Sequence, residues 1–353
     1  MIDQLKPSAI GLLKQLISTP SFSSEEDKTA AHIENWLQSH GIPFQRKDNN
    51  IYAFNKHFEE GKPTLLLNSH HDTVRPNTGY TKDPFDAHVE EGRLYGLGSN
   101  DAGGCLVSLL ATFVYFYDKP NPNFNLILVA SAEEESSGGK GLNSMLPVLP
   151  HIDVAIVGEP TLMQLAIAEK GLVVFDAVVK GTPSHAAHPN DNNSIYNTIK
   201  VLEWFRDYRF EKTSEALGEV KMTVTQINAG KQHNVVPAET NLVIDVRVND
   251  KYTNREIADL LQAESPCDVI TPRSLRLNSS SIPKEHPLVQ AGIALGRETY
   301  GSPTLSDQAV LTCPSLKLGP GDSTRSHSAN EYIYVREIEE GIALYIKLLE
   351  KVL

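Results

Sequence analysis

The chain has 353 residues, of which 40% are hydrophobic, so it is long enough to bury a substantial core and to form two domains. Its net charge of −12 argues against nucleic acid or an anionic membrane as a partner, and no apolar run approaches the roughly 20 residues that a membrane span needs. The N-terminal segment predicts a helix rather than a signal peptide, and three scattered cysteines predict no disulfide framework, so we expect a soluble cytoplasmic protein.

The first 170 residues predict alternating helices and strands. The first forty residues read as helical, with Ser23 and Glu26 forming a capping box and Gly41 ending the second helix. Further along, apolar runs predict strands at 51–54, 64–68, 126–132 and 154–157 and a helix at about 105–117. This alternation is typical of an α/β domain with a mostly parallel sheet.

Acidic residues and histidines follow these apolar runs or lie in the glycine-rich turn before a helix. They are His70, Asp72, Asp101, Glu134, Glu135 and Glu159. Any one of them alone is more easily explained as a core histidine, a helix N-cap or a loop acid. Because ligands bind at the carboxyl ends of parallel strands, we expect these six side chains to lie close together. So many carboxylates repel one another unless divalent cations neutralise them, so the pattern predicts a metal site.

The character of the chain changes after Glu169. Predicted strands at 172–180, 220–227, 241–248 and near 274–277, with helices at 193–210 and 254–263, give the β-α-β-β-α-β order of a ferredoxin-like unit. The chain then returns to the first domain with a helix at 288–299, a strand at 315–318 and a closing helix at 336–352. We therefore predict a catalytic domain from 1–170 and 278–353, with a domain inserted at 171–277.

One more histidine, His327, follows the strand at 315–318. With it, the motifs SHHDTV, LYGLGSNDAGG, AEEE, VGEPT and HSANE occur in this order. The chain resembles the M20 family of metallopeptidases and deacylases, and most of all its acetylornithine deacetylase and succinyl-diaminopimelate desuccinylase branch. The resemblance covers essentially the whole chain. It implies a mostly parallel-sheet zinc-hydrolase catalytic domain with an inserted ferredoxin-like lid through which two chains form a homodimer.

The resemblance also implies a role for each of these side chains. One divalent metal ion would be held by His70, Asp101 and Glu159, and a second by Glu135, His327 and the shared Asp101. Both ions are expected to be Zn²⁺, although this oxygen-rich set would also accept Co²⁺ or Mn²⁺. Glu134 would be the general base, which takes a proton from water and later delivers it to the leaving amine. Asp72 would accept a hydrogen bond from the free ring nitrogen of His70 and fix its tautomer.

The inserted domain contains three further matches to the family. His185, in KGTPSHAAHP, would reach the partner subunit's active site and stabilise the oxyanion, and Asn234 and Arg247 would bind substrate. An arginine suits an α-carboxylate, because its planar guanidinium can donate two hydrogen bonds. The alternatives are a loop histidine at His185 and a cross-strand ion pair at Arg247.

These expectations lead to a metal-dependent hydrolase of a small N-acyl amino acid. The favoured reaction removes acetyl or succinyl from the α-nitrogen of ornithine in arginine biosynthesis. Succinyl-diaminopimelate desuccinylase and a di- or tripeptidase share the chemistry and stay open as alternatives. A non-catalytic metal-binding homodimer is a reading of another class, and the complete set of base and ligands argues against it.

Overall fold

The computed structural model of the protein describes residues 2–120 and 123–353, so that Met1, which the helical prediction included, lies outside the described residues. The chain divides into two compact units. The first comprises the residues up to Ile167 together with Ser281–Tyr300 and Ser306–Leu353, and the second comprises Ala168–Ser280 and Gly301–Leu305.

The helices and strands before the second unit follow one another along the chain. They are α1 (Ile2–Ile17), α2 (Asp27–Ser39), β1 (Gln45–Lys47), β2 (Asn50–Phe54), β3 (Thr64–His70), β4 (Val89–Glu90), β5 (Arg93–Tyr95), α3 (Gly104–Phe116), β6 (Asn125–Ser131), α4 (Leu142–Met145), β7 (Val154–Val157) and β8 (Leu165–Glu169).

The elements of the second unit come next, followed by those that return to the first. They are β9 (Gly171–Lys180), β10 (Ser184–His185), α5 (Ser194–Asp207), β11 (Lys221–Ala229), β12 (Val235–Val236), β13 (Glu239–Val248), α6 (Asn254–Glu264), β14 (Val269–Pro272), β15 (Ser280–Ser281), α7 (Pro287–Ala294), β16 (Thr299–Ser302), β17 (Ser315–Lys317), β18 (Tyr332–Tyr334) and α8 (Val335–Leu349).

The first unit is built on a twisted sheet in the order β1-β2-β6-β3-β7-β17-β8. Its centre is parallel, since β6, β7 and their neighbours β3 and β17 run in one direction, and its flanks at β1, β2 and β8 are antiparallel. All seven residues of β3 are buried, as expected for a central strand with both faces covered. Leu65 and Leu67 pack into one core and Leu66 into another, because successive side chains point to opposite faces.

The second unit contains a four-stranded antiparallel sheet in the order β11-β13-β9-β14. Helix α5 lies in the chain between β9 and β11, and α6 between β13 and β14. The chain order β9-α5-β11-β13-α6-β14 is the predicted β-α-β-β-α-β unit, and its apolar residues form a core of their own. The predicted fold class, a mostly parallel α/β domain with an inserted ferredoxin-like unit, is therefore confirmed.

Three local predictions are wrong. Ser23 and Glu26 do not form a capping box, because α2 begins at Asp27 and the hydroxyl of Ser23 donates instead to Asp72 Oδ2 (2.7 Å). The last strand of the second unit is Val269–Pro272, which pairs with β9, and not 274–277 as predicted. The helix predicted to end at 299 ends at Ala294, since the chain turns there and enters β16.

None of the helices in the described part of the chain combines the length and hydrophobicity that crossing a membrane requires.

Candidate metal centre

His70 ends the central strand β3 with its ring almost fully buried. Its Nδ1–H donates to the backbone carbonyl oxygen of Asp72 (3.0 Å), so Nε2 is the ring nitrogen that can bind a cation once it has lost its proton. That Nε2 atom has no hydrogen-bond partner among the described residues, and the oxygens nearest it are Asp101 Oδ1 (3.4 Å) and Glu159 Oε1 (3.7 Å). A buried nitrogen without a partner is costly unless it binds something, and a lone pair facing carboxylates suits a cation.

Asp101 turns its two carboxylate oxygens towards different histidines. Oδ1 faces His70 Nε2 at 3.4 Å, and Oδ2 faces His327 Nε2 at 3.7 Å. The carboxylate lies in the glycine-rich turn before α3, in backbone that is not helical (φ −119°, ψ 97°). Burial by itself would raise the pKa of Asp101, but in the metal-free protein the protonated form of His70, together with His327, lowers it overall. Asp101 is therefore an ionised side chain placed to bridge two cations.

The side chains form two groups that share this aspartate. His70, Asp101 and Glu159 make one, and Asp101, Glu135 and His327 make the other; within each group the ligand atoms lie within 4.8 Å of one another. The structure thus brings together all five side chains that the sequence analysis proposed as ligands. Imidazole nitrogens and carboxylate oxygens are donors that Zn²⁺, Co²⁺ and Mn²⁺ accept, so the residues fit a pair of divalent cations.

In the metal-free protein, bound protons partly neutralise the negative charge of these clustered carboxylates. Burial raises the pKa of Glu159 to about 8, and the charge of Asp101 adds to the effect. The hydrogen bond that His327 Nε2–H donates to Glu135 Oε2 (2.9 Å) raises the pKa of the imidazole to about 9. Divalent cations can take over this neutralisation, so that their binding releases protons.

Glu134 lies beside His70 and belongs to neither of the two ligand groups. Its Oε2 is 4.0 Å from His70 Nε2, and burial raises its pKa well above the ordinary value, with Glu159 and Asp307 contributing. Glu133 turns away, because its carboxylate accepts hydrogen bonds from the Ser24 hydroxyl (2.8 Å) and the Lys140 N–H (3.0 Å). The three consecutive glutamates therefore differ in position, and Glu134 is the one free to exchange a proton beside the ligands.

Asp72 fixes this glutamate segment. Its carboxylate accepts the N–H groups of Glu134 (3.0 Å) and Glu135 (3.1 Å), in addition to the hydroxyl of Ser23 (2.7 Å). The sequence analysis expected the carboxylate to hold His70, but the backbone carbonyl of Asp72 is the closer acceptor, and Oδ1 lies 3.4 Å from Nδ1. Asp72 thus orients a residue of each ligand group.

His71, the neighbour of His70, faces away from the ligands. Its Nε2–H donates to the carbonyl of Asn49 (2.9 Å), and its Nδ1 lies 2.9 Å from the Thr29 hydroxyl. Burial lowers its pKa to about 4, so the ring stays neutral at physiological pH. Its contacts join α2 and the turn between β1 and β2 to the end of β3.

Sequence reasoning missed Asp307, a buried acid close to Glu134. Its Oδ2 accepts hydrogen bonds from Ser131 Oγ (2.6 Å) and Asn68 Nδ2 (2.9 Å), both on strands that lead into the site. Asp307 lies in a short helical turn that follows no apolar strand, so the pattern that revealed the other acids does not apply to it.

The three candidates of the second unit lie on its surface. His185 and Asn234 are close together, because β10 pairs with β12 and the Ala186 N–H donates to the carbonyl of Asn234 (2.9 Å). Arg247 makes a bidentate ion pair with Asp245 (2.8 and 3.1 Å), which lies two residues away on the same strand rather than across the sheet. No contact in the described part of the second unit tests the roles proposed for these residues.

Comparison with known proteins gives consistent matches over the whole chain. Residues 66–351 match the profile of Peptidase family M20/M25/M40. The chain is 29% identical to an acetylornithine deacetylase of Proteus mirabilis (98% of this chain, 96% of that protein). It is 26% identical to a succinyl-diaminopimelate desuccinylase of Rickettsia felis (98% of this chain, 100% of that protein). The fold is similar to that of the Bacillus subtilis YXEP protein, described as a dinuclear metal-binding peptidase of the M20 family (TM-score 0.76, 14% identity, 99% of each chain).

Proposed function

This chain belongs to Peptidase family M20/M25/M40, and on that premise we propose that it removes an acetyl or succinyl group from the α-nitrogen of ornithine, in arginine biosynthesis. It is a metallohydrolase, a deacylase or peptidase acting on a small molecule, and the substrate is the proposed part. The observation that carries the proposal is the pair of ligand groups sharing Asp101, with Glu134 beside them. The similarity to an acetylornithine deacetylase supports an acyl-ornithine substrate.

The reaction requires an electrophilic amide and a nucleophilic water at neutral pH. Two divalent cations, when bound by His70, Asp101, Glu159, Glu135 and His327, would supply Lewis acidity and lower the pKa of water to about 7. Zn²⁺ is the proposed metal, and Co²⁺ or Mn²⁺ would also suit these ligands.

Glu134 is the proposed general base and, later, the general acid of the reaction. With the cations bound, the Glu134 carboxylate would accept a proton from water and deliver it to the departing amine, because it lies beside the ligands without being one of them. The N–H of Glu134 is held by Asp72, so the base has a fixed position relative to the ligands. Uptake and delivery of one proton by one carboxylate account for both halves of the amide hydrolysis.

We also propose that the second unit pairs two chains. Strand β11 is the edge of its sheet and is exposed along most of its length, and α5 carries the exposed side chains Tyr196 and Ile199. An open edge with apolar side chains nearby favours pairing with another chain. In a two-fold dimer each exposed His185 would serve the partner's site, where an imidazole donor is worth ~3–4 kcal/mol to the oxyanion.

A mixed dimer tests this arrangement. His185→Ala and Glu134→Gln are each expected to be nearly inactive with metals bound, but co-expressed in equal amounts they form mixed dimers with one intact site. Random pairing gives about half mixed dimers, so roughly a quarter of wild-type activity should return. An inactive mixture that contains mixed dimers would show that His185 does not act on the partner chain.

Arg247 and Asn234 remain the proposed substrate contacts. A substrate α-carboxylate would have to compete with Asp245 for the guanidinium of Arg247. Arg247→Lys keeps the charge and removes the planar pair of donors, so we expect a raised KM for N-acyl amino acids.

A substrate screen tests the function. Purified protein reconstituted with Zn²⁺ is assayed against acetylornithine, succinylornithine, acetylcitrulline, succinyl-diaminopimelate and a set of di- and tripeptides, with Glu134→Gln as the control. Preference for an acyl-ornithine supports the proposal, whereas preference for succinyl-diaminopimelate or for peptides supports those alternatives instead. Two bound metal ions with no hydrolysis of any compound would support the non-catalytic homodimer.

A further inference from the structure

Glu331 is a buried acid that no step of the proposed reaction uses. It lies directly before β18 and is 1% exposed. Its Oε1 accepts the N–H groups of Asn100 (2.8 Å) and Asp101 (2.9 Å), and its Oε2 accepts the N–H of Gly98 (3.1 Å). Its backbone carbonyl accepts the N–H of Gly96 (3.0 Å). One residue therefore binds four N–H groups of the turn that carries Asp101.

These N–H groups need such a partner. The turn lies between β5 and α3 in irregular backbone, and Ser99 and Asn100 are fully buried, so water cannot satisfy its donors. A carboxylate offers acceptors on both oxygens, which lets a single side chain bind N–H groups that point from three positions. A glutamine could replace only one of the two oxygens, because its amide nitrogen is a donor and would face the N–H of Gly98.

The N–H of Asp101 itself is among those bound. Fixing this backbone position restricts where the side chain of Asp101 can reach, and its oxygens lie 3.4 Å from His70 Nε2 and 3.7 Å from His327 Nε2. Among the described residues, Asp101 is the candidate ligand that the two groups share. A displacement of this turn would thus disturb both groups together.

We propose that Glu331 is a positioning residue that holds Asp101 where its carboxylate can bridge two divalent cations. The inference rests on the proposed metal centre. Glu331 acts through the backbone, since its carboxylate is bound to N–H groups and belongs to neither ligand group. The simpler explanation is that Glu331 only anchors β18 to β5, whose pairing of Tyr332 with Tyr95 follows it directly.

Metal affinity separates these explanations. Metal-free wild type, Glu331→Gln and Glu331→Asp are titrated with Zn²⁺ against a competing chelator, and unfolding is followed in the absence of metal. The matched control is Glu256→Gln in the second unit, where Glu256 also accepts a backbone N–H, that of Thr253 (2.7 Å), and caps α6. Neighbouring residues that orient ligands typically contribute 10–100-fold to metal affinity, so both Glu331 variants should lose roughly that factor for both ions.

The remaining readouts complete the expected pattern. Excess Zn²⁺ should restore kcat of Glu331→Gln towards wild type with little change in KM, and Glu256→Gln should keep wild-type affinity despite a lower melting temperature. Affinity for both ions within about threefold of wild type in Glu331→Gln would overturn the proposal. So would a loss confined to one ion, because the shared Asp101 would not be the route.

Glu331→Asp removes a confounding effect of charge. It keeps a carboxyl group near Asp101 but shortens the side chain, so it cannot reach all three N–H groups. Wild-type affinity in this variant, alongside a loss in Glu331→Gln, would assign the effect to charge and overturn positioning. A wild type that binds two ions but hydrolyses nothing would refute the proposed function alone and leave this comparison of affinities valid.

Discussion

The two ligand groups use the same chemistry in very different surroundings. The His70 side chain is 1% exposed and stands at the end of a fully buried strand. The His327 side chain is 55% exposed and lies in the loop between β17 and β18, with positive φ (57°). A ligand held by packing loses little freedom when a cation binds, whereas a loop ligand must be ordered. We therefore expect the ion at His70 to bind more tightly and exchange more slowly than the ion at His327.

The difference arises from where each group lies in the sheet. His70 and Glu159 follow neighbouring parallel strands, and the pairing of Asn68 with Val157 brings the ends of β3 and β7 to the same level. Glu135 and His327 instead lie further along the chain from the ends of the strands that precede them, β6 and β17, than Glu159 lies from the end of β7. Regular strand pairing thus positions one group, and turns position the other.

The largest expected effect is on kcat, and it distinguishes Glu134 from the adjacent Glu135. Glu134→Gln should lower kcat by roughly 10²–10⁴ while both ions remain bound, because it removes only the proton acceptor. Glu135→Gln should weaken the ion at His327 and leave the ion at His70 in place. Metal content and kcat of both variants check this prediction. If the two variants exchanged these behaviours, the assignment of Glu134 and Glu135 would be off by one residue.

The second prediction compares the two histidines directly. His70→Ala and His327→Ala should each lose one ion at stoichiometric Zn²⁺, since each removes a ligand of a different group. In the metal-free protein, His70→Ala should also cost roughly 2–4 kcal/mol of unfolding free energy, because it leaves a cavity, and His327→Ala should cost about 0.5 kcal/mol or less. Urea denaturation in chelator measures both values. Equal losses would show that burial does not distinguish the two groups.

Chelation should separate the groups in time. Dilute chelator added to the fully loaded protein should remove metal in two phases, with the ion at His327 leaving at least about tenfold faster than the ion at His70. Stopped-flow release of Co²⁺ or Zn²⁺ measures the phases, and His327→Ala should lack the fast one. A single phase in the wild type would contradict the comparison.

The smallest expected effect is on the pH dependence of the metal-free protein. His327 has a folded-state pKa of about 9 against an ordinary value of 6.5, so its contribution is complete below about pH 6.5 and is lost as the pH rises through 9. Glu159, with a pKa of about 8, also binds more protons when folded than when unfolded between about pH 4.5 and 8. Both groups therefore make the metal-free protein less stable as the pH rises from about 5 to 9.

Urea midpoints at several pH values check this trend. Glu159→Gln should make the decrease in the urea midpoint smaller up to about pH 8. Saturating Zn²⁺ should remove most of this decrease, because the cation replaces the bound protons. A midpoint for the metal-free wild type that rises between about pH 6 and 8.5 would be the contrary result.

Much of the metal centre could be predicted because its ligands are tied to local patterns. His70 and Glu159 lie at or just after apolar runs that the sequence analysis predicted as strands, and the carboxyl ends of parallel strands meet at one edge of a sheet. The β-α-β-β-α-β order of the second unit was likewise readable from alternating periodicities, which depend on neighbouring residues. The ends of elements were less predictable, as the displaced strand at Val269–Pro272 shows, because pairing with β9 selects the register there.

Tertiary structure alone decided what holds the ligands in place. Glu331 meets the turn of Asp101 across some 230 positions of sequence, and Asp307 meets Asn68 across 239. The hydroxyl of Ser23, which the local pattern assigned to a helix cap, binds Asp72 instead. A hydrogen bond between distant segments leaves no periodic signal in the chain, since each partner satisfies a buried donor or acceptor that exists only after the sheet has formed. The candidate ligands, and Asp72 beside them, could therefore be named from the sequence, whereas Glu331, Asp307 and the contact of Ser23 could not.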